Sequence, residues 1–400
     1  MDNVTRAEYD VVIVGGGAAG LAGALTLARA RRSVLVLDSG TPRNAPAAHL
    51  HGYLGHDGES PARLSALGRE EAAGYGARFR SGRAGTAVAA DREEGGGFLV
   101  RCADGSSVRA RRLLVATGLV DELPELPGLR ERWGRDVLHC PYCHGWEVRD
   151  QPLAVLATGP LAVHQALLWR QWSPRVTLVA HDLRPGPEDL EAMAARGVAV
   201  VEGKVTGLTV EGDRLTALDL VDGATVECRA LVVAPRFTAR SGVLTGLGLP
   251  TTTLERDGAP IGTCVESEPA TGATALPGVW VAGNVTSPVE QVSGAAAQGV
   301  RAAAAINADL VGAETRDAVA AWRGGAEPGR EPGTGSRTVR GRPVDRACGH
   351  TPVVARTSRG GRDFGDGPKA EGWPGRGRNR SDSDNRAGFV RGPSVQALAV

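Results

Sequence analysis

Two cysteines three positions apart, Cys140 and Cys143, carry the strongest chemical signal in the sequence, with His139 before them and His144 after. When a C-x-x-C begins a helix, the free N–H groups and the helix dipole stabilise a thiolate. Such a pair can cycle between dithiol and disulfide, and histidines can accept or release protons near neutral pH. The pattern indicates redox chemistry at sulfur, with His144 as the first candidate base and His139 as the second.

Two other interpretations of the cysteine pair stay open, namely half of a zinc site or two ordinary buried cysteines. A structural zinc site needs a second pair of ligands. The other cysteines are isolated from one another in the sequence: Cys102, Cys228, Cys264 and Cys348. We therefore expect no metal site. A nucleotide-binding pattern elsewhere in the chain would favour the redox interpretation.

A glycine-rich turn near the N-terminus supplies that pattern. Residues 11–14 predict a buried strand, a G-x-G-x-x-G turn opens a helix, and a second strand at 33–37 ends in an aspartate. The first glycine permits a tight turn, the second lets backbone approach a pyrophosphate, the third permits close helix packing, and the aspartate can accept a ribose hydroxyl. This context favours a dinucleotide site over an unrelated glycine-rich turn. The predicted contacts are Gly15, Gly17, Ala18, Ala19, Gly20 and Asp38.

Two further segments are predicted to contact the same ligand. The loop at 41–62 is polar, and the spacing of its histidines fits no helical pair of metal ligands, so a ligand-contacting loop is favoured over a metal site. A buried strand then runs into Thr117 and Gly118, where small residues let a cofactor lie against backbone. The polar residues of the loop include Arg43 and Asn44, as candidate cofactor contacts, and His49, His51, His56 and Asp57.

After the cysteine pair the strand–turn–helix–strand pattern repeats, which indicates two nucleotide-binding domains in series. The second copy is eroded, because Ala157 replaces the first glycine and Ala180 replaces the acidic residue. Asp182 is left as a possible ribose ligand, and Arg184 is the only arginine close by for a 2′-phosphate. Binding of NAD(P)H by this copy is therefore left open.

From residue 237 the chain is predicted to return to the first domain. A strand at 278–284 ends at Gly283 and Asn284, and an alanine-rich helix is predicted over 288–310. A helix N-terminus beside a cofactor can donate backbone N–H groups to it. We predict Gly283, Asn284, Gln291 and Val292 as cofactor contacts, with a turn or cap role as the alternative for Asn284.

The predicted fold is α/β, with two Rossmann-like dinucleotide-binding domains. The first comprises residues 1–119 and 237–315, and the second, carrying the C-x-x-C, comprises 120–236. Residues 316–400 are rich in Gly, Arg, Pro and Ser, and we expect a disordered tail without chemistry. Its aromatic residues are too sparse to stack RNA bases.

The overall composition excludes several classes of protein. A formal net charge of +1 argues against a dedicated nucleic-acid binder. No apolar run approaches the ~20 residues that a membrane helix needs, and residues 1–10 do not form a signal peptide. Six cysteines in this length do not make a disulfide framework. We expect a cytoplasmic protein without a membrane or nucleic-acid partner.

Taken together, these motifs resemble the thioredoxin reductase-like family of flavoprotein disulfide oxidoreductases over residues 9 to 312. The resemblance implies FAD as cofactor, a homodimer, Cys143 as the sulfur facing the flavin and Cys140 as the interchange thiol. The string from Cys140 to Glu147, C-P-Y-C-H-G-W-E, is most similar to the branch of gliotoxin- and holomycin-type dithiol oxidases.

Three departures from thioredoxin reductases accompany this resemblance. His144 stands where those enzymes usually have an aspartate, and Asn284 replaces the aspartate of their FAD-binding Gly-Asp step. The second nucleotide domain lacks both the full glycine motif and the arginine cluster. These departures favour oxidation of a small-molecule dithiol, with electrons passing through FAD to oxygen. The alternatives are an NAD(P)H-dependent reductase of a thioredoxin-like protein and a non-enzymatic redox sensor; a zinc half-site shared across a dimer is the least favoured.

Overall fold

The computed structural model describes residues 8–90, 96–159, 161–256 and 258–324. The predicted tail from residue 325 onward, including Cys348, lies outside the described residues. The α/β class and the two Rossmann-like units predicted from the sequence are confirmed.

A seven-stranded sheet carries the glycine motif. Its strands are β1 (Glu8–Val14), β2 (Val34–Asp38), β3 (Arg78–Ser81), β4 (Ala84–Ala89), β5 (Phe98–Cys102), β6 (Ser107–Val115) and β19 (Val279–Val281). Their order is β3-β2-β1-β6-β5-β4, with β19 pairing parallel to the end of β6. β1 is an apolar run with Val11, Val12 and Ile13 fully buried, as expected for a parallel strand covered on both faces.

Two helices cover one face of this sheet, and their crossing depends on glycine. α1 (Ala18–Arg29) follows β1, and α7 (Val292–Gly324) is the last described element. A Cβ on Gly299 of α7 would overlap the backbone carbonyl of Ala19 in α1. The close approach buries Ala302, Ala303 and Ile306 against the sheet. α7 therefore begins beside the glycine motif.

A second, five-stranded sheet holds the repeated motif. Its strands are β8 (Val137–Leu138), β9 (Leu153–Leu156), β10 (Val176–Ala180), β11 (Ala199–Glu202) and β15 (Ala230–Val232), all parallel, in the order β11-β10-β9-β15-β8. α5 (Leu161–Trp169) and α6 (Pro187–Ala195) pack with it, and β12 (Val205–Glu211), β13 (Arg214–Leu220) and β14 (Thr225–Glu227) form a separate antiparallel sheet. β14 and β15 follow each other in the sequence but belong to these two different sheets.

Two neighbouring strands carry the chain between these sheets. β7 (Leu119–Glu122) leads out of the first sheet, and β16 (Arg236–Ala239) leads back, pairing antiparallel to it. β18 (Ala259–Cys264) and β17 (Thr252–Arg256) extend this pair into a four-stranded sheet. The predicted boundaries at 119 and 236 fall in β7 and β16, and the domain division stays a prediction.

α7 differs from its predicted extent at both ends. It begins at Val292, because the side-chain amide of Asn284 lies within hydrogen-bond distance of the carbonyls of Ser287, Pro288 and Glu290 and holds them in a non-helical turn. It ends at Gly324, so residues 316–324, predicted as tail, are helical. Alanine is the strongest helix former, and this segment is rich in it.

Two further helices adjoin loops of the cavity, α2 (Pro61–Gly74) and α4 (Pro141–His144). A short helix, α3 (Leu129–Arg132), precedes β8. Among the described residues, no helix combines the length and apolar character needed to cross a membrane. The predicted cytoplasmic location stays a prediction.

Candidate functional site

A cavity of about 950 Å³ extends from the glycine turn to the cysteine pair. It takes its walls from both sheets, the β2–α2 loop and the start of α7. The predicted site residues that line it are Gly15, Gly17, Ala18, Ala19, Asp38, Arg43, Asn44, Thr117, Gly118, His139, Cys140, Cys143, His144, Gly283, Asn284, Gln291 and Val292. Gly20 is buried behind the lining. The fold thus brings together residues that are far apart in the sequence.

The glycine turn has the backbone geometry of a phosphate-binding loop. Gly15 has φ +107°, and a Cβ there would overlap the carbonyl oxygen of Ala116. A Cβ on Gly20 would overlap the carbonyl of Gly15, whereas the position of a Cβ on Gly17 is open, with no atom within 4 Å. Because α1 begins at Ala18, its free N–H groups lie at this open face. A pyrophosphate fits here.

Asp38 ends β2 at the same edge of the cavity. Its Oδ2 accepts a hydrogen bond of 3.1 Å from Nη2 of Arg69 on α2. A Cβ on Gly16 would lie 2.6 Å from this carboxylate, so Asp38 packs directly on the glycine turn. The carboxylate is placed to accept a ribose hydroxyl. Arg69 was not found from the sequence, because nothing in its local pattern marks a residue of α2 as a partner of β2.

Arg43 lines the cavity, but its guanidinium is engaged by a neighbouring carboxylate. Nε and Nη2 donate to the two oxygens of Asp121 on β7 at 2.8 and 2.7 Å, and Nη1 donates to the carbonyl of Pro288 at 3.2 Å. The guanidinium also lies over the ring of Phe237, 5.3 Å from its centre. Arg43 therefore holds the β2–α2 loop against β7 and the turn before α7.

The strand end at Thr117 and Gly118 is tied to the returning chain. Thr117 Oγ1 donates to the carbonyl of Arg240 at 2.7 Å, and the Arg240 N–H donates to the carbonyl of Gly118 at 3.0 Å. The Arg240 side chain reaches across to the carbonyl of Thr41 at 3.2 Å. Arg240 lines the cavity and was not predicted.

Asn284 holds the turn before α7, which is the role predicted for it as the alternative to cofactor contact. Its Nδ2 lies 3.1, 3.2 and 2.9 Å from the carbonyls of Ser287, Pro288 and Glu290, so the amide holds the turn before α7. The residue also lines the cavity, so a contact with a cofactor remains compatible with this turn role. A carboxylate at this position would face three carbonyl oxygens without a proton to donate. This explains why the chain has asparagine here.

Cys140 and Cys143 form a disulfide that lines the cavity. Cys140 is the N-cap of α4, and the N–H of Cys143 donates to its carbonyl at 3.2 Å. α4 is a single turn of four residues, so fewer aligned peptide units contribute to a helix dipole here than in a longer helix, and the stabilisation of a thiolate stays a prediction.

Two of the other described cysteines, Cys228 and Cys264, are unsuited to thiolate chemistry at neutral pH. Burial raises the pKa of Cys228 to about 12 and also raises the pKa of Cys264. Both are free thiols, as is Cys102. Among the described residues, no group of three or more His, Cys, Asp or Glu side chains is arranged to hold a metal ion.

The two histidines beside the cysteines are in different surroundings. Nδ1 of His139 donates to the carbonyl of Val233 at 3.1 Å, which leaves Nε2 as the acceptor, and burial lowers its pKa. For His144, burial lowers the pKa, while Glu147 raises it and His51 lowers it further. A pKa below the ordinary value of 6.5 means that His144 is mostly neutral at pH 7. A neutral imidazole can accept a proton.

The β2–α2 loop reaches the segment that carries the cysteines. Nε2 of His51 lies 3.4 Å from a carboxylate oxygen of Glu147, and Nδ1 lies 3.4 Å from one of Asp57. A Cβ on Gly134, just before β8, would lie 2.9 Å from Cβ of Pro46. The loop therefore packs directly on the cysteine-bearing unit.

The loop after β10 is hydrogen-bonded to the turn of the second nucleotide-binding unit. The carbonyl of Ala157, the counterpart of Gly15, accepts hydrogen bonds from the N–H groups of Asp182 and Leu183, at 2.9 and 3.3 Å. Asp182 is also within 3.5 Å of Lys204. The position of a Cβ on Gly159, the counterpart of Gly17, is open, with no atom within 4 Å.

Comparison with known proteins relates this chain to disulfide oxidoreductases, both by a family profile and by individual relatives. A family profile described as pyridine nucleotide-disulphide oxidoreductase matches residues 9–299. Thioredoxin reductase tcpT of Claviceps purpurea is 34% identical over 255 residues, covering 60% of this chain and 77% of that protein. Thioredoxin reductase aclD of Aspergillus oryzae is 31% identical over 323 residues, covering 76% of this chain and 96% of that protein.

Two solved structures are similar in both sequence and fold. The crystal structure of HlmI is 46% identical, with a TM-score of 0.74, over 80% of this chain and 98% of that one. An oxidoreductase from Agrobacterium tumefaciens is 33% identical, with a TM-score of 0.69, over 76% of this chain and 99% of that one.

Proposed function

The chain belongs to the pyridine nucleotide-disulphide oxidoreductase family, and we propose that within this family of FAD-dependent enzymes acting on sulfur groups it oxidises a small-molecule dithiol to a disulfide. Oxygen is the proposed final electron acceptor. One observation carries the direction: the cysteine disulfide lines the FAD cavity, whereas the second nucleotide-binding unit has Ala157 and Ala180 in place of the first glycine and the acidic residue of its motif.

The residues of the cavity fit FAD from end to end. The open face at Gly17 and the start of α1 suits the pyrophosphate, and Asp38 suits the adenosine ribose. Asn284 and Val292 line the same cavity as Cys143, which the isoalloxazine would have to reach. FAD bound there supplies a two-electron acceptor that takes the electron pair of the reduced cysteines and delivers it to oxygen.

The chemistry at sulfur uses three side chains of this protein. Neutral His144 takes a proton from one substrate thiol, and the thiolate attacks Sγ of Cys140. The Cys140–Cys143 bond breaks, a substrate–Cys140 disulfide forms, and Cys143 leaves as a thiolate. The second substrate sulfur attacks the mixed disulfide, which closes the substrate disulfide and releases Cys140 carrying the second proton. His139, whose Nε2 is free to accept, is the second candidate for the base.

The alternative function is reduction of a thioredoxin-like protein by NAD(P)H, and the names of tcpT and aclD favour it. It requires a nucleotide in the second unit. That unit lacks the first glycine and the acidic residue of the motif, where Ala157 and Ala180 stand. A homodimer is part of our proposal and rests on the family resemblance.

Anaerobic reduction of the purified flavoprotein tests the proposal. NADPH, NADH and dithiothreitol are mixed separately with the FAD-loaded protein, and the flavin absorbance is followed. We expect dithiothreitol to bleach the flavin rapidly and both nucleotides to leave it oxidised. Rapid bleaching by NADPH would establish the reductase alternative instead. Bleaching by none of the three would favour a redox sensor.

A further inference from the structure

One side of α2 lines the cavity at the end where Asp38 lies. The lining residues of this helix recur at positions that share one helical face. Gly68 lets α2 lie close to α1, because a Cβ there would be 3.3 Å from Cδ1 of Leu21. α2 therefore forms a wall next to the glycine turn from which α1 begins. The residues of its cavity face are Ala62, Ser65, Ala66 and Arg69.

Arg69 is the charged member of this face, and two contacts fix its guanidinium. Nη2 donates to Oδ2 of Asp38 at 3.1 Å, and the guanidinium carbon lies 4.6 Å from the centre of the Phe79 ring. The side chain of Arg69 is 40% exposed and that of Asp38 18%. Dissolved ions can therefore screen the charges of this pair.

Asp38 brings a negative charge close to the place where the pyrophosphate of FAD fits. A Cβ on Gly16 would lie 2.6 Å from Oδ2 of Asp38, so the carboxylate packs on the glycine turn. The open face for the pyrophosphate is at the next residue, Gly17. Like charges at such short range repel each other. The acid that suits the ribose therefore opposes the phosphates of the same ligand.

The guanidinium of Arg69 offsets this repulsion. A cation on Oδ2 compensates the charge of the carboxylate and holds it in one orientation. Among the described residues, no hydrogen bond to the other oxygen of Asp38, Oδ1, competes with a ribose hydroxyl. One oxygen of the carboxylate is thus used for the counter-charge, and the other is left for the ligand.

We infer that Arg69 is a positioning residue of the FAD site. It acts through Asp38, as the counter-charge that lets a carboxylate and a pyrophosphate lie at the same glycine turn. The role applies to either direction of the reaction at sulfur, because both directions use FAD.

The test measures how tightly Arg69→Met holds FAD. The FAD-loaded protein is diluted in steps, and the free FAD in ultrafiltrates gives the dissociation constant. We expect this constant to exceed that of the unmodified protein about tenfold at about 0.01 M salt. At about 1 M salt the difference should fall below about threefold, because the screening length drops from about 30 to 3 Å. Arg69→Lys keeps the cation and should stay within about threefold of the unmodified protein at both salt concentrations.

Arg63→Met is the matched control, because Arg63 lies on the same helix but does not line the cavity. It should keep the original dissociation constant at both salt concentrations. A double variant separates action through Asp38 from direct attraction of FAD. Asp38→Asn removes the carboxylate charge, so adding Arg69→Met to it should change the dissociation constant by less than about twofold.

Three results would overturn the inference. If Arg69→Met holds FAD as tightly as the unmodified protein, Arg69 has no role in the site. If the deficit is the same at both salt concentrations, Arg69 only packs on Phe79. If the full loss persists in the Asp38→Asn background, Arg69 attracts FAD itself and does not act through Asp38. None of these measurements involves a dithiol, so they are independent of the proposed dithiol oxidation.

Discussion

At the scale of single residues, the chemistry depends on a disulfide flanked by two histidines with lowered pKa values. His139 and His144 line the cavity together with Cys140 and Cys143. Burial makes both imidazoles poor cations, which suits them to accept a proton from a thiol. His139 has its Nδ1 engaged by the carbonyl of Val233, whereas Glu147 raises the pKa of His144 and so offsets part of the effect of burial. This difference favours His144 as the base.

Replacing either cysteine of the pair should abolish dithiol oxidation. Cys140→Ser and Cys143→Ser each remove the enzyme disulfide that accepts the substrate's electrons, so turnover should fall by at least about 100-fold. Oxygen consumption with dithiothreitol is the measurement. Cys264→Ser, at a free thiol outside the cavity, is the control and should keep the original rate. Retained activity in either variant of the pair would refute the mechanism.

Replacing His144 should change how turnover depends on pH. The base works when neutral, so the rate of the unmodified enzyme should fall as pH falls through the His144 pKa, which lies below 6.5. His144→Ala should lose this limb and be roughly 100-fold slower near neutral pH. The deficit should shrink above about pH 9, where dithiol substrates ionise unaided. A pH profile of kcat/KM with the same shape in both proteins would exclude the base role.

At the scale of elements, loops and helix ends are fixed by hydrogen bonds and close contacts that join distant segments. The side-chain amide of Asn284 holds the turn before α7. The close crossing of α1 and α7 is possible because Gly299 has no Cβ. Both features lie at the cavity wall. Small changes at either point should therefore affect both the stability of the protein and its FAD binding.

Asn284→Asp tests the turn before α7. The carboxylate would face the carbonyls of Ser287, Pro288 and Glu290, so the free energy of unfolding should fall by about 1–3 kcal/mol. Thermal unfolding at pH 7 is the measurement. Asn307→Asp is the control on α7, because Oδ1 of Asn307 accepts from Arg32, and a carboxylate keeps that acceptor. The turn assignment is wrong if Asn284→Asp melts at or above the original temperature.

Gly299→Ala tests the helix crossing. The added Cβ would overlap the Ala19 carbonyl, and overpacking of this kind typically costs about 1–3 kcal/mol. Gly312→Ala in the same helix meets only the end of Arg316 at 3.4 Å, so it should stabilise by up to about 1 kcal/mol, as alanine exceeds glycine in helix propensity. Chemical denaturation measures both. Equal effects of the two substitutions would contradict the crossing.

At the scale of the whole molecule, one nucleotide-binding unit keeps the full glycine motif and the other has an eroded copy. In the first, the glycine turn presents open backbone next to Asp38. In the second, Ala157 replaces the first glycine, and its carbonyl accepts hydrogen bonds from Asp182 and Leu183. The cysteine disulfide lies in the wall of the cavity at the intact motif. The proposed dithiol oxidation depends on this placement.

Ending the chain after Gly324 should leave dithiol turnover and FAD content unchanged. Every described residue that lines the cavity comes before that point, and the segment that follows has the composition of a tail without chemistry. Oxygen consumption and flavin absorbance of the truncated and full-length proteins are compared. A loss of turnover beyond about twofold would show that the tail contributes to the reaction.

The sequence by itself determined the elements that follow from local patterns. The strand–glycine–helix unit, its eroded repeat, the cysteine pair and the returning strand at 279–281 are all visible as short-range signals. Spacing of apolar residues sets periodicity, and glycines mark turns where a side chain has no room. These suffice for the fold class and most of the cavity lining.

Only the tertiary structure decided how side chains distant in sequence are partnered. Arg69 beside Asp38, Asp121 beside Arg43, Glu147 beside His51 and the hydrogen bonds of Asp182 and Leu183 to Ala157 all join segments with no common local pattern. A charge or a backbone N–H carries no mark of its partner, because the partner is chosen by packing of sheets and loops. That packing places a loop histidine, His51, 3.4 Å from Glu147 on the cysteine-bearing segment.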